Sequence, residues 1–325
     1  MIAALAADFA AIEGVKTSVI LDSRQDTNGL PWARCQIILV RKAGGDCDAL
    51  TTCCRDADWT IVIAPDFDGL LESRCRIVDM AGGRLLGPSP RLISLAADKQ
   101  RTAEHLAAAG VSVAFGEAVD AGNLLTVAAV IGYPIVFKPR DGAGSKNVRL
   151  LADRDTAERF QKSLVKQGRL ERFYPGIAAS VALLCGPMGI FPLPACRQRL
   201  SDDGRFCYLG GSCPLEPALA RRATSLAVQA IRSLPKPLGY LGVDLVLGAN
   251  PDGQNDVVIE INPRLTTSYV GLRAIANGNL AATMLAAAEG RQLDLSFSGR
   301  IVEFDSDGTI HQESATAAAL GARRA

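Results

Sequence analysis

Three oxygen-bearing side chains carry the clearest chemical signal in this chain. Asp244 lies in GYLGVDLVL, and Glu260 and Asn262 lie in VVIEINPR. Both stretches read as strands joined by the turn-rich GANPDGQN, so a hairpin is expected. Pairing would let Asp244 face Glu260, and Glu260 and Asn262, two positions apart, share one sheet face. Carboxylates inside near-continuous Val/Ile/Leu runs are costly unless paired or metal-bound. The donors are hard oxygens without sulfur or imidazole. That set suits magnesium, with manganese as an alternative, sharing its coordination with water and substrate phosphates. The competing reading is ordinary exposed acids on a hairpin.

Two further features carry positive charge. Lys138 ends the strand-like YPIVFK and is followed by Asp141, Gly142, Ala143, Gly144 and Ser145. A lysine at a strand edge can set a point charge on a phosphate, and small residues let backbone N–H groups approach phosphate oxygens. The order is not that of a P-loop, which precedes a helix. A Gly-containing hairpin with no ligand is the plain alternative. Asp98 and Lys99 lie in ISLAADKQRTAEHLAAAG, where a lysine is ordinarily just solvated.

The elements that must position these residues fall into three sections: 1–88, 89–176 and 177–325. In the first, VKTSVIL (15–21), QIILV and WTIVIA (59–64) read as strands, Leu70 to Met80 as a helix, and 84–86 as a further short strand. The alternation predicts a small parallel sheet flanked by helices. The chain opens with the helix-like ALAADFAAI, where a doubly wound unit normally opens with a strand. In the second, 92–109 has helical spacing and stops at Gly110; 133–138 and NVRLL form a hairpin, 152–167 is an amphipathic helix and 170–174 is extended. In the third, strands are expected at 178–184, 191–200, 206–209, 240–247, 256–262, 300–305 and 309–312, with helices at 216–234 and 279–289; the last dozen residues are expected to fray.

Composition narrows the function classes. The 325 residues are 48% hydrophobic and 21% charged, with net charge +1, so neither nucleic acid nor an anionic membrane surface is an expected partner. Nine cysteines without CxxC spacing and only two histidines argue against zinc and for buried thiols in a reducing cytoplasm. No signal peptide or membrane span is visible.

The ordered set DKQRTAEHLAAAGV, YPIVFKPRDGAGSKNVRLL, LERFYPGIAASV, LGVDLVL and IEINPR resembles the ATP-grasp superfamily of carboxylate–amine ligases over roughly residues 88 to 275. The resemblance implies an α/β architecture of α+β subdomains, the ATP-grasp fold, behind an N-terminal small parallel-sheet domain. A nucleotide would sit between the subdomains, with the hairpin as a lid. It implies that Lys99 and Lys138 hold ATP phosphates and that Gly142, Ala143, Gly144 and Ser145 close on them. Glu171, Arg172, Phe173 and Tyr174 would be the hinge that meets adenine, through backbone groups and Glu171. Asp244, Glu260 and Asn262 would be the magnesium ligands, and Arg264, with Lys138, would act at the acyl-phosphate centre. The acid that often binds ribose falls on Ala178, a departure from the pattern.

VILDSR, IAPDFDGLLE, GGRLLGPS, CRQRLS, YLGGSCP and INPRLTTSYVGL are more narrowly similar to the tyramine–glutamate ligase family of methanofuran biosynthesis, and hence to methylofuran chemistry. In that group the segments around Gln198, Gly210, Gly211 and 266–269 recur near the acceptor side. The implied substrates are small molecules, an amino acid and an amine, in a chain compatible with a homodimer. The alternatives are ligation of another amino acid or a glutamate tail, and a non-catalytic nucleotide-binding module.

Overall fold

The computed structural model describes residues 1–25, 32–65, 67–142 and 144–312. The expected fraying of the last dozen residues lies outside them. The chain begins with α1 (Ile2–Ala10), β1 (Thr17–Asp22), β2 (Cys35–Val40), α2 (Gly45–Asp56) and α3 (Leu70–Met80). β1 and β2 pair in parallel, from Thr17 opposite Cys35 to Asp22 opposite Val40. The expected strand WTIVIA makes a single bridge among the described residues, Thr60 to Leu85. Its alternation has another cause: Ile61 and Ile63 pack on the C-terminal core, while Val62 and Ala64 pack on Leu71, Cys75 and Val78. The apolar period of two was real, and no ladder was needed to satisfy it.

The opening helix touches β1 and β2, but its apolar residues join the C-terminal core. Leu5 packs in the cluster containing Tyr269, Leu280 and Met284. Asp8 accepts hydrogen bonds from the Tyr269 hydroxyl at 2.6 Å and Arg273 Nε at 2.8 Å.

The helix expected over 92–109 is two helices, α4 (Pro90–Ala97) and α5 (Lys99–Ala108). Asp98 takes extended angles and its Oδ1 accepts from the amides of Gln100 and Arg101, both at 3.0 Å. It is therefore the N-cap of α5, a role that stabilises a helix start better than a helix interior. The break puts Lys99 at the first position of α5. Asp98 Oδ2 also accepts from Arg140 Nε at 2.8 Å, tying the start of α5 to the residue that follows the 135–139 strand.

Next come β3 (Gly116–Val119), α6 (Leu124–Ile131), β4 (Ile135–Pro139), β5 (Arg149–Leu151), α7 (Arg154–Gln161) and β6 (Gly168–Arg172). Their sheet has the order β3-β6-β4-β5. α6 and α7 cover it through Leu124, Ala128, Ala157, Phe137 and Leu170. The expected hairpin is present, with Ile135 opposite Leu151; α7 stops at Gln161, short of the expected 167.

The last section holds β7 (Ile177–Gly186), β8 (Gly189–Pro192), β9 (Cys196–Leu200), β10 (Tyr208–Cys213), α8 (Pro217–Ser233), β11 (Gly239–Leu247), β12 (Val257–Asn262), α9 (Ser268–Ile275), α10 (Leu280–Ala288), β13 (Val302–Asp305) and β14 (Ile310–Gln312). They build an eight-stranded sheet, β12-β11-β7-β9-β10-β13-β14, with β8 beside β7. The single strand expected over 191–200 is two, separated by Leu193–Ala195 around Pro194, which has no N–H to donate to a ladder. One sheet face, with Val181, Leu183, Leu241 and Val243, packs under α8. The other, with Ala182, Leu184 and Tyr240, packs on α9, α10 and α1.

Candidate functional site

The β11–β12 pair has a bulge that decides which way its acids point. Val243 pairs with Ile261 and Leu245 pairs with Val258, all four in the core under α8. Three positions separate Val258 from Ile261, yet both face the same core. The register shift beside Asp244 absorbs the extra residue. Without it a strand's period of two would put Glu260 on the face of Val258. With it, Glu260 stands directly opposite Asp244, and Asn262 follows opposite Gly242.

Asp244 is held by two amides: Gln198 Nε2 donates to Oδ1 at 2.9 Å and Asn262 Nδ2 to Oδ2 at 3.0 Å. Burial and the neighbouring Glu260 charge push its carboxyl up to about 7, against the pull of those amides and Arg264. Ser180, buried in β7, is its neighbour across the strand pair. Arg264 follows β12, and its Nη2 reaches Asn262 Oδ1 at 3.4 Å.

Lys99 bridges to this cluster from α5. Its Nζ donates to Glu260 Oε1 and to the Gly142 carbonyl, both at 2.8 Å. Lys138, on β4, lies instead against Glu171 Oε2 at 2.5 Å. The two lysines therefore sit on different carboxylates. Glu171 and Glu260 line one small cleft with Lys99, Val113, Ala114 and Ile259.

The rest of the expected site does not line that cleft. Gly144 and Ser145 are at the hairpin tip, both with positive φ, 68° and 58°. Ala143 lies outside the described residues. In the stretch expected to be the hinge, the Arg172 amide donates to Phe115 O at 2.9 Å and the Phe173 amide to Pro134 O at 3.1 Å. A base docking there would meet carbonyl oxygens or the Tyr174 amide rather than those two N–H groups. The Tyr174 hydroxyl accepts from the Phe115 amide at 3.3 Å, and Phe173 stacks on Phe206 with ring centroids 6.1 Å apart. Ala178 pairs with Val246 inside the sheet and offers a base or sugar no polar group.

Sequence reasoning missed Arg169 and Gln100. Arg169 is 3% exposed, and its Nε donates to Glu171 Oε1 at 2.9 Å. Gln100 Oε1 accepts from its Nη1, and Ala114 O accepts from its Nη2 at 2.9 Å. The signal was present in GRLERF: Arg and Glu two apart on a strand share a face.

A divalent cation matches the β11–β12 donors. Two carboxylates and an amide share a face, and Asp244 is raised first by burial and then by the Glu260 charge, which a cation would offset. Among the described residues no group of three His, Cys, Asp or Glu assembles for a metal. An ion here would take its remaining oxygens from Asn262, water or phosphate, as magnesium does. All nine cysteines are free, with Cys54, Cys75, Cys185, Cys196 and Cys213 buried. Among the described residues no helix is long and apolar enough to cross a membrane.

Comparison with known proteins adds a family. A model of the ATP-grasp domain matches residues 96–268, and one of the pre ATP-grasp 3 domain matches 15–93. The tyramine–L-glutamate ligase of Methanocaldococcus fervens is 25% identical over 252 residues, covering 75% of this chain and 70% of that protein. The uncharacterized protein y4rH of Sinorhizobium fredii is 45% identical over 190 residues, 56% of this chain and 39% of its own length. Biotin carboxylase of Campylobacter jejuni, solved in a β,γ-ATP complex, superposes with a TM-score of 0.77 at 18% identity, covering 93% of this chain and 72% of that one.

Proposed function

The chain belongs to the ATP-grasp family of ATP-dependent ligases, and we propose that it joins the γ-carboxylate of L-glutamate to the amine of tyramine through an acyl phosphate. The observation that carries this reading is the facing pair Asp244 and Glu260, with Lys99 at 2.8 Å from Glu260. Anions and a cation on one cleft wall match a site that handles phosphoryl charge.

In this reading Asp244, Glu260 and Asn262 hold magnesium. The ion supplies charge neutralisation at the phosphate oxygens. Lys99 and Lys138 bind the phosphates as point charges. Arg264, beside Asn262, orients the carboxylate that attacks the γ-phosphorus and neutralises the acyl phosphate formed. Gly142 to Ser145 cover the phosphates and exclude water, which protects the acyl phosphate from hydrolysis. Glu171 to Tyr174 receive the adenine, with Glu171 accepting from its exocyclic amine. The amine then attacks the acyl carbon and phosphate leaves. No protein nucleophile is needed.

The reading is tested by ADP release against a panel of acids and amines. Glutamate with tyramine is expected to give the fastest turnover. Faster ADP release with another amino acid or a glutamate tail moves the substrate assignment and keeps the chemistry. Tight MgATP binding with no ADP from any pair would sink the ligase reading and leave a nucleotide-binding module.

A further inference from the structure

We propose that Arg169 is a positioning residue that fixes the Glu171 carboxylate and thereby sets the preference for an adenine base. The inference rests on the nucleotide site proposed above. A buried guanidinium is costly unless its N–H groups are matched, and an apolar side chain at this strand position would often be as stable. Arg169 is nevertheless 3% exposed and donates in three directions. One bond goes to Glu171 on its own strand, one to Gln100 on α5 and one to Ala114 O in the link between α5 and β3. Gln100 in turn donates to Glu104 Oε1 at 2.8 Å, so its amide is itself oriented. The guanidinium is thus clamped to a second element before it touches Glu171.

The consequence falls on Glu171, which is 4% exposed and contributes to the cleft wall. Arg169 takes one of its oxygens and Lys138 the other. Between these two partners the carboxylate is held in one orientation, and a carboxylate offers only hydrogen-bond acceptors. A 6-amino purine presents a donor to such a group. A 6-oxo purine presents an acceptor and is repelled. Fixing the carboxylate therefore turns hinge placement into base selection, because a site built around one hydrogen bond rejects the partner that cannot make it. Lys138 alone would not do this, since its flexible stem would follow the carboxylate wherever it turned.

The test is calorimetric titration of the full chain with MgATP and MgGTP, for wild type, Arg169→Met and Arg169→Lys. Arg169→Met is expected to raise the Kd for MgATP about tenfold, the effect of losing one charge-assisted hydrogen bond. The Kd for MgGTP should change less than about twofold, so the ratio between the two falls. Arg169→Lys keeps a cation but cannot make the three directed bonds, so it should shift the ratio the same way by less. It also decides the matter if Arg169→Met does not fold. Equal weakening of both nucleotides in a folded variant, or an unchanged ratio in Arg169→Lys, would overturn the inference and mark Arg169 as structural only. Absence of MgATP binding in the wild type would remove the nucleotide reading itself, and this inference with it.

Discussion

On the β11–β12 side of the cleft, Asp244 and Glu260 face each other with two amides on Asp244 and one lysine on Glu260. On the β4–β6 side, the single carboxylate of Glu171 lies between two cations, Lys138 and Arg169. On the first wall burial, and then the Glu260 charge, push the Asp244 carboxyl up to about 7 despite Arg264 and the two amides. On the second wall both carboxylate oxygens of Glu171 are already taken by buried cations. One is arranged to receive cationic charge from outside. The other spends its charge on geometry, holding groups still before a ligand arrives.

That contrast predicts the largest effect on the first wall. Glu260→Gln and Asp244→Asn change shape little but remove charge, and each is expected to lower ADP formation about a thousandfold or more. Steady-state assays at saturating MgATP check it, and activity within tenfold of wild type in either variant breaks the metal assignment. A smaller loss is expected from the second wall. Lys138→Met should cut kcat/KM about a hundredfold, carried mostly by the KM for ATP. It should also lower Tm, because Glu171 stays buried with Arg169 alone. A Tm equal to wild type would mean that the Lys138–Glu171 contact contributes no stability.

Much of the first wall was legible in the sequence, and the reason is local. Acids inside VDLVL and VVIEIN stand out because apolar neighbours make them expensive. Their facing follows from a hairpin whose turn is also local. The bulge was not legible: nothing in VVIEIN says that Val258 and Ile261 share a core face. Asp244 and Glu260 meet because of it. The second wall was read only in part. Lys138 and Glu171 were picked out, but their contact depends on β6 lying beside β4, with Glu171 opposite Val136. Gln100 enters only because Asp98 breaks one expected helix into two. In the N-terminal section the strand signal of 59–64 was a packing pattern without a ladder, since apolar alternation reports which faces are buried and not what the backbone bonds to. The family resemblance carried the fold class that these local signals alone did not.

The pH response separates the walls further. Asp244 has an ordinary value of 3.8 and a folded value of about 7, so between those pH values the folded protein holds a proton that the unfolded chain has lost. Stability from this group is therefore present at acid pH and is lost as pH rises towards 7. In metal-free protein, wild type should lose Tm relative to Asp244→Asn between pH 5 and 7.5, and magnesium should restore part of it at the upper end. Parallel pH curves for the two proteins would show that the carboxylate is not strained by its surroundings.

The smallest effects belong to the hairpin that spans the two walls. Gly142 and Gly144 both have positive φ, 150° and 68°, and an added Cβ at either would meet nothing within 4 Å. Alanine at either position is therefore strained by backbone angle and not by a clash, at a cost of about 1–2 kcal/mol. The two differ in what hangs on them. The Gly142 carbonyl accepts from Lys99, which also holds Glu260, whereas Gly144 sits exposed at the tip. Gly142→Ala should displace that carbonyl, loosen Lys99 and raise the KM for ATP about threefold, an effect under 1 kcal/mol. Gly144→Ala should relax locally and change it less, with Tm held in both. If the two substitutions act alike, the Lys99–Gly142 contact does not couple the hairpin to the Asp244–Glu260 wall, and other contacts such as Arg140 with Asp98 and Arg169 with Gln100 join the two sides.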